Sequence, residues 1–189
     1  LTAGTKTEIR IEYYDSTNDA TMRLSWSSAS QPKQVVPTSR LYLPVATSGG
    51  LWGDYFDSFF TPPISIGQRI DGPVNFLWGT AGPAIPNFPF NTEYMVRWTG
   101  YILPTVTGSY SFHTISDDGV RLYVGAVNVI NNWTTHGSTE DTGSVTLTAG
   151  GRYLVRLDYF QNTGGSEIRL NWTPPGGGKV AIPAASLYR

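Results

Sequence analysis

The chain of 189 residues contains no cysteine. Disulfides, thiolate metal sites and cysteine nucleophiles are thereby excluded together. Charge is scarce as well, at 14% Asp, Glu, Lys and Arg, with 13 basic against 14 acidic residues and a formal net charge of −1. No cluster of Lys and Arg exists, which removes the electrostatic footprint of a nucleic-acid binder. No apolar run approaches the ~18 residues of a membrane-spanning helix, so no membrane insertion is expected. The opening LTAGTKTEIR has neither the apolar core nor the cleavage site of a signal peptide. The only histidines, His113 and His136, are 23 positions apart with no HExxH-type spacing, which argues against zinc. A GxSxG nucleophile motif and a phosphate loop are also missing.

What is plentiful is aromatic residues (13%), Gly (21) and Pro (13). A sizeable core with frequent turns is affordable, and disorder is not expected. The apolar period is two rather than 3.6. Tyr110, Phe112 and Thr114 alternate with Ser111 and His113, and Val120, Leu122 and Val124 alternate with Arg121 and Tyr123. Val155, Leu157 and Tyr159 face one way while Arg156, Asp158 and Phe160 face the other; Ile168, Leu170 and Trp172 repeat the pattern. Turn signals at Asp118-Gly119, Gly125-Ala126, Gly150-Gly151 and Gly164-Gly165 separate these runs. Many short strands between frequent turns read as an all-β sandwich or barrel.

An internal repeat sets the organisation. Residues 1–43 align without a gap on residues 147–189, with 14 of 43 positions identical. The matches include Arg10 with Arg156, Tyr13 with Tyr159, Trp26 with Trp172, Pro37 with Pro183 and Tyr42 with Tyr188. Residues 1–43 are therefore expected to be the C-terminal third of one domain, 44–49 a linker, and 50–189 a complete second copy. The rest of the first copy is expected from a separate chain or a neighbouring copy, since orphan strands expose an open edge.

Several segments in series then resemble one family, the PA-14 domain first described in the protective antigen of anthrax-type toxin. They are GLWGDYF (50–56), RIDGPVNFLW (69–78), VRWTGYILPTVTGSYSF (96–112), SDDGVRLYV (116–124), VINNW (129–133), LTAGGRYLVRLDYF (147–160) and EIRLNW (167–172). The resemblance implies a two-sheet antiparallel β-sandwich. It also implies a calcium-dependent carbohydrate-binding module of an extracellular bacterial protein, such as a polysaccharide sensor, adhesin or glycosidase appendage. Function must still be argued from the site.

The pair Asp117-Asp118 lies between two expected strands. Neighbouring residues of an extended chain point to opposite faces, so their carboxylates converge only if the backbone between them is unusual. The resemblance supplies a device: sugar-binding members chelate calcium through an Asp-Asp pair joined by a cis bond, and vicinal hydroxyls of the sugar complete the shell. Calcium takes six to eight oxygens, so further donors are expected from residues 161–165. Gln161 and Asn162 are the candidate ligands, with Thr163 and Gly164 beside the sugar. The plainer reading is that SDDG is a turn, with Asp capping backbone N–H groups and Gly supplying a positive φ. Trp133 and Tyr123 are candidate stacking platforms, Trp133 being otherwise a lid on the core, and Asn131 and Asn132 either donate hydrogen bonds to hydroxyls or shape a turn. Trp26, Trp78, Trp98 and Trp172 are expected in the core. Catalysis is not expected, because glycosidic carboxylates stand ~5–10 Å apart across a cleft and an adjacent pair does not.

Overall fold

A computed structural model describes residues 1–2, 7, 9, 11, 13, 20–41, 47–60 and 63–189. The chain divides into two units, Leu1–Val45 and Ala46–Arg189. In the first, β1 (Ser25–Ser28) and β2 (Gln31–Val35) form an antiparallel hairpin with Ser25 opposite Val35 and Trp26 opposite Gln34. A single 3-10 turn, Thr38–Arg40, follows from Pro37, whose ring presets its φ of −64°. Trp26, expected in a core, is 37% exposed, because the described residues place only a two-stranded ribbon around it. The repeat matches at Arg10 and Tyr42, the 15–18 loop and residues 44–46 of the expected linker lie outside the described residues.

The second unit is a two-sheet antiparallel β-sandwich. Its strands are β3 (Leu51–Phe56), β4 (Ser65–Asp71), β5 (Asn75–Gly79), β6 (Tyr94–Ile102), β7 (Gly108–Asp117) and β8 (Val120–Val124). They continue as β9 (Val127–Asn132), β10 (Thr139–Leu147), β11 (Tyr153–Gln161), β12 (Ser166–Thr173), β13 (Val180–Ala181) and β14 (Leu187–Tyr188). One sheet runs β10-β7-β12-β13 with β5 also on β12; the other runs β4-β3-β6-β11-β8-β9 with β14 also on β6.

The period-two runs become the facing inner surfaces. Tyr94, Val96, Trp98, Leu122, Val155, Leu157 and Tyr159 from one sheet meet Tyr110, Phe112, Ile168, Leu170 and Trp172 from the other, all buried. Trp78 is partly buried against the same core. One charge is held inside this layer. The Asp71 carboxylate accepts hydrogen bonds from the Tyr55 hydroxyl (2.6 Å), Trp98 Nε1 (2.6 Å) and Arg69 Nε (2.5 Å). Three donors answer a buried carboxylate, and removing it strands two buried donors at ~1–3 kcal/mol each.

Topology decides where chemistry can sit. β7 belongs to one sheet and β8 to the other, so residues 117–120 turn the corner between them. Residues 132–139 between β9 and β10 also cross between sheets, as do residues 161–166 between β11 and β12. Registers bring these corners together: Asp117 lies opposite Glu167, Ser116 opposite Thr139, and Val120 opposite both Asn132 and Tyr159. Phe56, at the end of β3, faces Met95 beside Tyr94, the partner of Gln161, so residues 57–60 leave β3 at the same end. The chain enters and leaves the sandwich at the other end. Thr47 and Arg189 exchange two backbone hydrogen bonds of 3.1 Å, and Leu187 faces Ile102.

Candidate functional site

At the β7–β8 corner the peptide bond between Asp117 and Asp118 is cis. Asp118 turns inward, 2% exposed, and its carboxylate ties two neighbouring corners to its own. Oδ1 accepts the backbone N–H of His136 at 3.0 Å, and Oδ2 that of Asn162 at 2.7 Å. The turn is fixed from below as well: the Tyr159 hydroxyl donates to the Asp117 carbonyl at 2.5 Å, and the Phe160 N–H donates to the Gly119 carbonyl at 2.9 Å. Position 119 must be glycine, since a Cβ there would overlap the Phe160 ring.

The Asp117 side chain is treated differently. It is half-buried, and no hydrogen bond from the described residues reaches its carboxylate. Burial raises its pKa and the Asp118 charge raises it further; His136 opposes this and Glu167 adds to it. Glu167 itself is answered by Arg169 at 2.6 Å and by the Ser138 hydroxyl at 3.0 Å. Gly165 faces Asp117 Oδ2, with a hypothetical Cβ 3.8 Å away. The 162–165 loop therefore runs beside this carboxylate at Gly165; Asn162 is half-buried, Thr163 and Gly164 are exposed, and Gly164 turns at φ +89°.

Two expected ligands take other work. The Gln161 side chain is fully buried, and its amide lies 3.0 Å from the Tyr159 hydroxyl. It buttresses the tyrosine that holds the turn, because an inner-face position on β11 aims it at the core. Asn132 has both ends of its amide engaged: Nδ2 donates to Asp141 at 3.0 Å, and Oδ1 accepts from Thr134 at 2.6 Å. It shapes the β9–β10 corner. Trp133 is half-buried, edge-on to Phe160 at 4.7 Å with the Arg121 guanidinium 4.4 Å above its ring. Tyr123 carries the Arg156 guanidinium at 5.3 Å.

The site also contains residues that pattern reading missed. His136 Nδ1 lies 2.9 Å from the Gly137 carbonyl, so the ring donates there. Phe59 stacks on Phe160 at 4.6 Å, and Phe60 on Phe59 at 4.4 Å. The doublet Phe59-Phe60 was the available signal, since adjacent residues of an extended segment point to opposite sides and cannot both enter one core.

Among the described residues, no group of three or more His, Cys, Asp and Glu is arranged to hold a metal ion. An ion here would take its charge from Asp117 and Asp118 and its other donors from carbonyl and amide oxygens. That all-oxygen set, with one carboxylate raised in pKa by burial and then by its neighbour's charge, fits a hard divalent cation such as calcium and does not suit zinc.

Comparison with known proteins follows the same outline. A family model described as PA14 domain matches residues 47–186. The chain is 33% identical over 204 residues to the anti-sigma-I factor RsgI3 of Acetivibrio thermocellus, spanning all of this chain and 30% of that protein. A solved anti-sigma factor domain-containing protein from Clostridium clariflavum superposes with a TM-score of 0.69 at 35% identity, over 74% of this chain and 47% of that one. A PA14 sugar-binding domain from an RTX adhesin superposes with a TM-score of 0.64 at 18% identity, over 76% and 99%, and shares the fold. The chain thus spans less than half the length of its anti-sigma-factor relatives. Among the described residues no helix is long and apolar enough to cross a membrane.

Proposed function

The chain belongs to the PA14 domain family over residues 47–186, and on that premise we propose that it is a calcium-dependent carbohydrate-binding module of a larger extracellular bacterial protein. The observation that carries this reading is the unequal treatment of the two carboxylates. Asp118 is spent on drawing the 136 and 162 corners inward, while Asp117 is left facing the 162–165 loop without a hydrogen bond from the described residues. Placing an unanswered carboxylate beside another costs free energy, and a cation removes that cost.

Asp117 and Asp118 would hold the ion together with oxygens of residues 162–165. Calcium, when bound, supplies a positive centre that accepts a sugar's vicinal hydroxyls as ligands. The chain's own residues then orient and exclude: Tyr159 fixes the Asp117 carbonyl, and Thr163 and Gly164 set the loop rim the sugar must pass. Binding without turnover is the activity proposed. Among possible parents, a polysaccharide sensor accords best with the anti-sigma-factor relatives.

Residues 1–43 are proposed to be the closing third of a preceding PA14 copy, whose other strands come from another chain or a neighbouring copy. The hairpin register supports this. Ser25–Val35 and Trp26–Gln34 recur as Asn171–Ala181 and Trp172–Val180, and the 3-10 turn Thr38–Arg40 recurs as Ala184–Ser186.

A second reading has one observation in its favour. Both Asp118 oxygens already cap backbone N–H groups, as a purely structural turn requires, which suits a protein-interaction module with no sugar ligand. Calorimetric titration with calcium, followed by glycan-array binding with and without chelator, separates the two. The sugar reading expects calcium-dependent retention that Asp117→Asn abolishes while leaving the thermal transition intact. No calcium titration and no retention on the array, with or without calcium, would establish the second reading, whereas retention unchanged by chelator and by that substitution would overturn the proposed ion site.

A further inference from the structure

Beside the acidic turn, the outer face of the β3-β6-β11-β8 layers carries a second apolar cluster. Phe56, Met95 and Phe160 are buried, with Phe59 and Trp133 packed on them. Phe160 is fixed against Gly119, the residue after Asp118. From it the rings step outward: Phe59 lies at 4.6 Å and 27°, then Phe60 at 4.4 Å and 30°. The last ring rests on Phe59 and is 62% exposed. A lone exposed apolar residue needs no explanation, but this one ends a near-parallel ladder rooted at the proposed ion site. The described residues on either side of it are tied together. Asp57 and Ile64 exchange a backbone hydrogen bond of 3.1 Å and a bond from the Ile64 N–H to the Asp57 carboxylate of 2.9 Å, and Phe60 N–H donates to Ser58 Oγ at 2.9 Å.

We propose that Phe60, backed by Phe59 and Phe160, is an apolar subsite that stacks a second pyranose ring of an extended glycan whose first ring reaches the Asp117–Asp118 turn. The inference rests on the carbohydrate reading and deepens it, making the ligand an oligosaccharide or polysaccharide rather than a free monosaccharide. A pyranose has one face of C–H groups, and a flat, open aromatic ring held parallel to a rigid stack is complementary to it. The acidic turn supplies polar selection and the ladder supplies contact area along the chain.

The test compares wild type, Phe60→Ala, Phe60→Leu and Phe60→Trp in calcium on an array of mono-, di- and hexasaccharides of common plant and bacterial glycans. Calcium titration and a thermal melt accompany each variant. Phe60→Ala is expected to weaken hexasaccharide binding about tenfold while monosaccharide binding stays within about twofold and calcium affinity is unchanged. Phe60→Trp is expected to retain the length preference and Phe60→Leu to lose most of it. Equal binding of wild type and Phe60→Ala across all lengths overturns the subsite and leaves the turn's role standing. Equal weakening of short and long ligands overturns it too, by making Phe60 a support for the turn. If wild type binds no sugar in calcium, the carbohydrate reading falls and the subsite with it.

Discussion

Residues 25–41 and 171–187 are written in the same pattern and adopt the same hairpin register and the same 3-10 turn, yet they live in different surroundings. Ile9, Ile11, Tyr13, Met22, Trp26 and Leu41 are exposed, whereas their counterparts Val155, Leu157, Tyr159, Ile168, Trp172 and Leu187 are buried. Hairpin register is a local property, set by turn length and cross-strand pairing. Burial is not local: it needs the strands that residues 50–146 provide to the second unit. The contrast separates what a short segment encodes by itself from what it encodes only in company.

The largest effect should come from paired tryptophan substitutions. Trp172→Ala removes a ring that is 5% exposed and is expected to cost about 3–5 kcal/mol, lowering the sandwich's melting transition by roughly 10 °C. Trp26→Ala is expected to leave that transition within about 1 °C. A comparable loss from both, read by calorimetry, would show that residues 1–43 are packed like their counterparts.

A smaller effect is expected at the paired tyrosines. Tyr159→Phe removes the hydroxyl that holds the Asp117 carbonyl, at about 1 kcal/mol of stability and a several-fold loss of calcium affinity. Tyr13→Phe, at an exposed position, should change neither. Calcium titration of the two variants side by side decides whether Tyr159 positions the turn or only fills the core.

The smallest effect sharpens the contrast at the acidic turn. A carboxyl whose folded pKa is raised holds its proton more tightly than the unfolded chain does. Stability of the calcium-free protein should therefore fall slightly as pH rises from the ordinary Asp range through the raised value. Calcium bound at the proposed site would compete with that proton, so its affinity should drop on acidification, beginning above the ordinary carboxylate range. Asp117→Asn is expected to flatten the first dependence, and melts in chelator across pH 3.5 to 7 would detect it. A slope that survives the substitution would assign the titration to another group.

Much of the sandwich was readable from period-two runs, because alternation alone fixes which face of a strand is buried. The inner sets Val155-Leu157-Tyr159 and Ile168-Leu170-Trp172 fell where alternation put them. Pairing order was not readable, since registers between distant strands depend on the whole assembly. The acidic turn stood out as an isolated pair, but its surroundings did not. Gln161 looked like a loop amide and is the last inward position of β11; one residue of strand length separates a ligand from a buttress. For Asn132 the sequence left a sugar contact and a turn-shaping role equally open, and its bonds to Asp141 and Thr134 favour the second. Phe59 and Phe60 reach Phe160 only because β3 and β11 flank β6, an adjacency no local pattern reports.

The placement of the chain's entry and exit has a mechanical meaning. Thr47 and Arg189 lie side by side at one end of the sandwich, and the acidic turn and aromatic ladder crown the other. If the proposed glycan is held at the crown, tension between it and the chain at the base would run along the strands. It would load the backbone ladders in shear, where many hydrogen bonds must yield together. The strands feeding the turn, β7 and β8, each have neighbours on both sides. A ligand pulled from that turn would therefore drag on the interior of two sheets and find no edge to unzip.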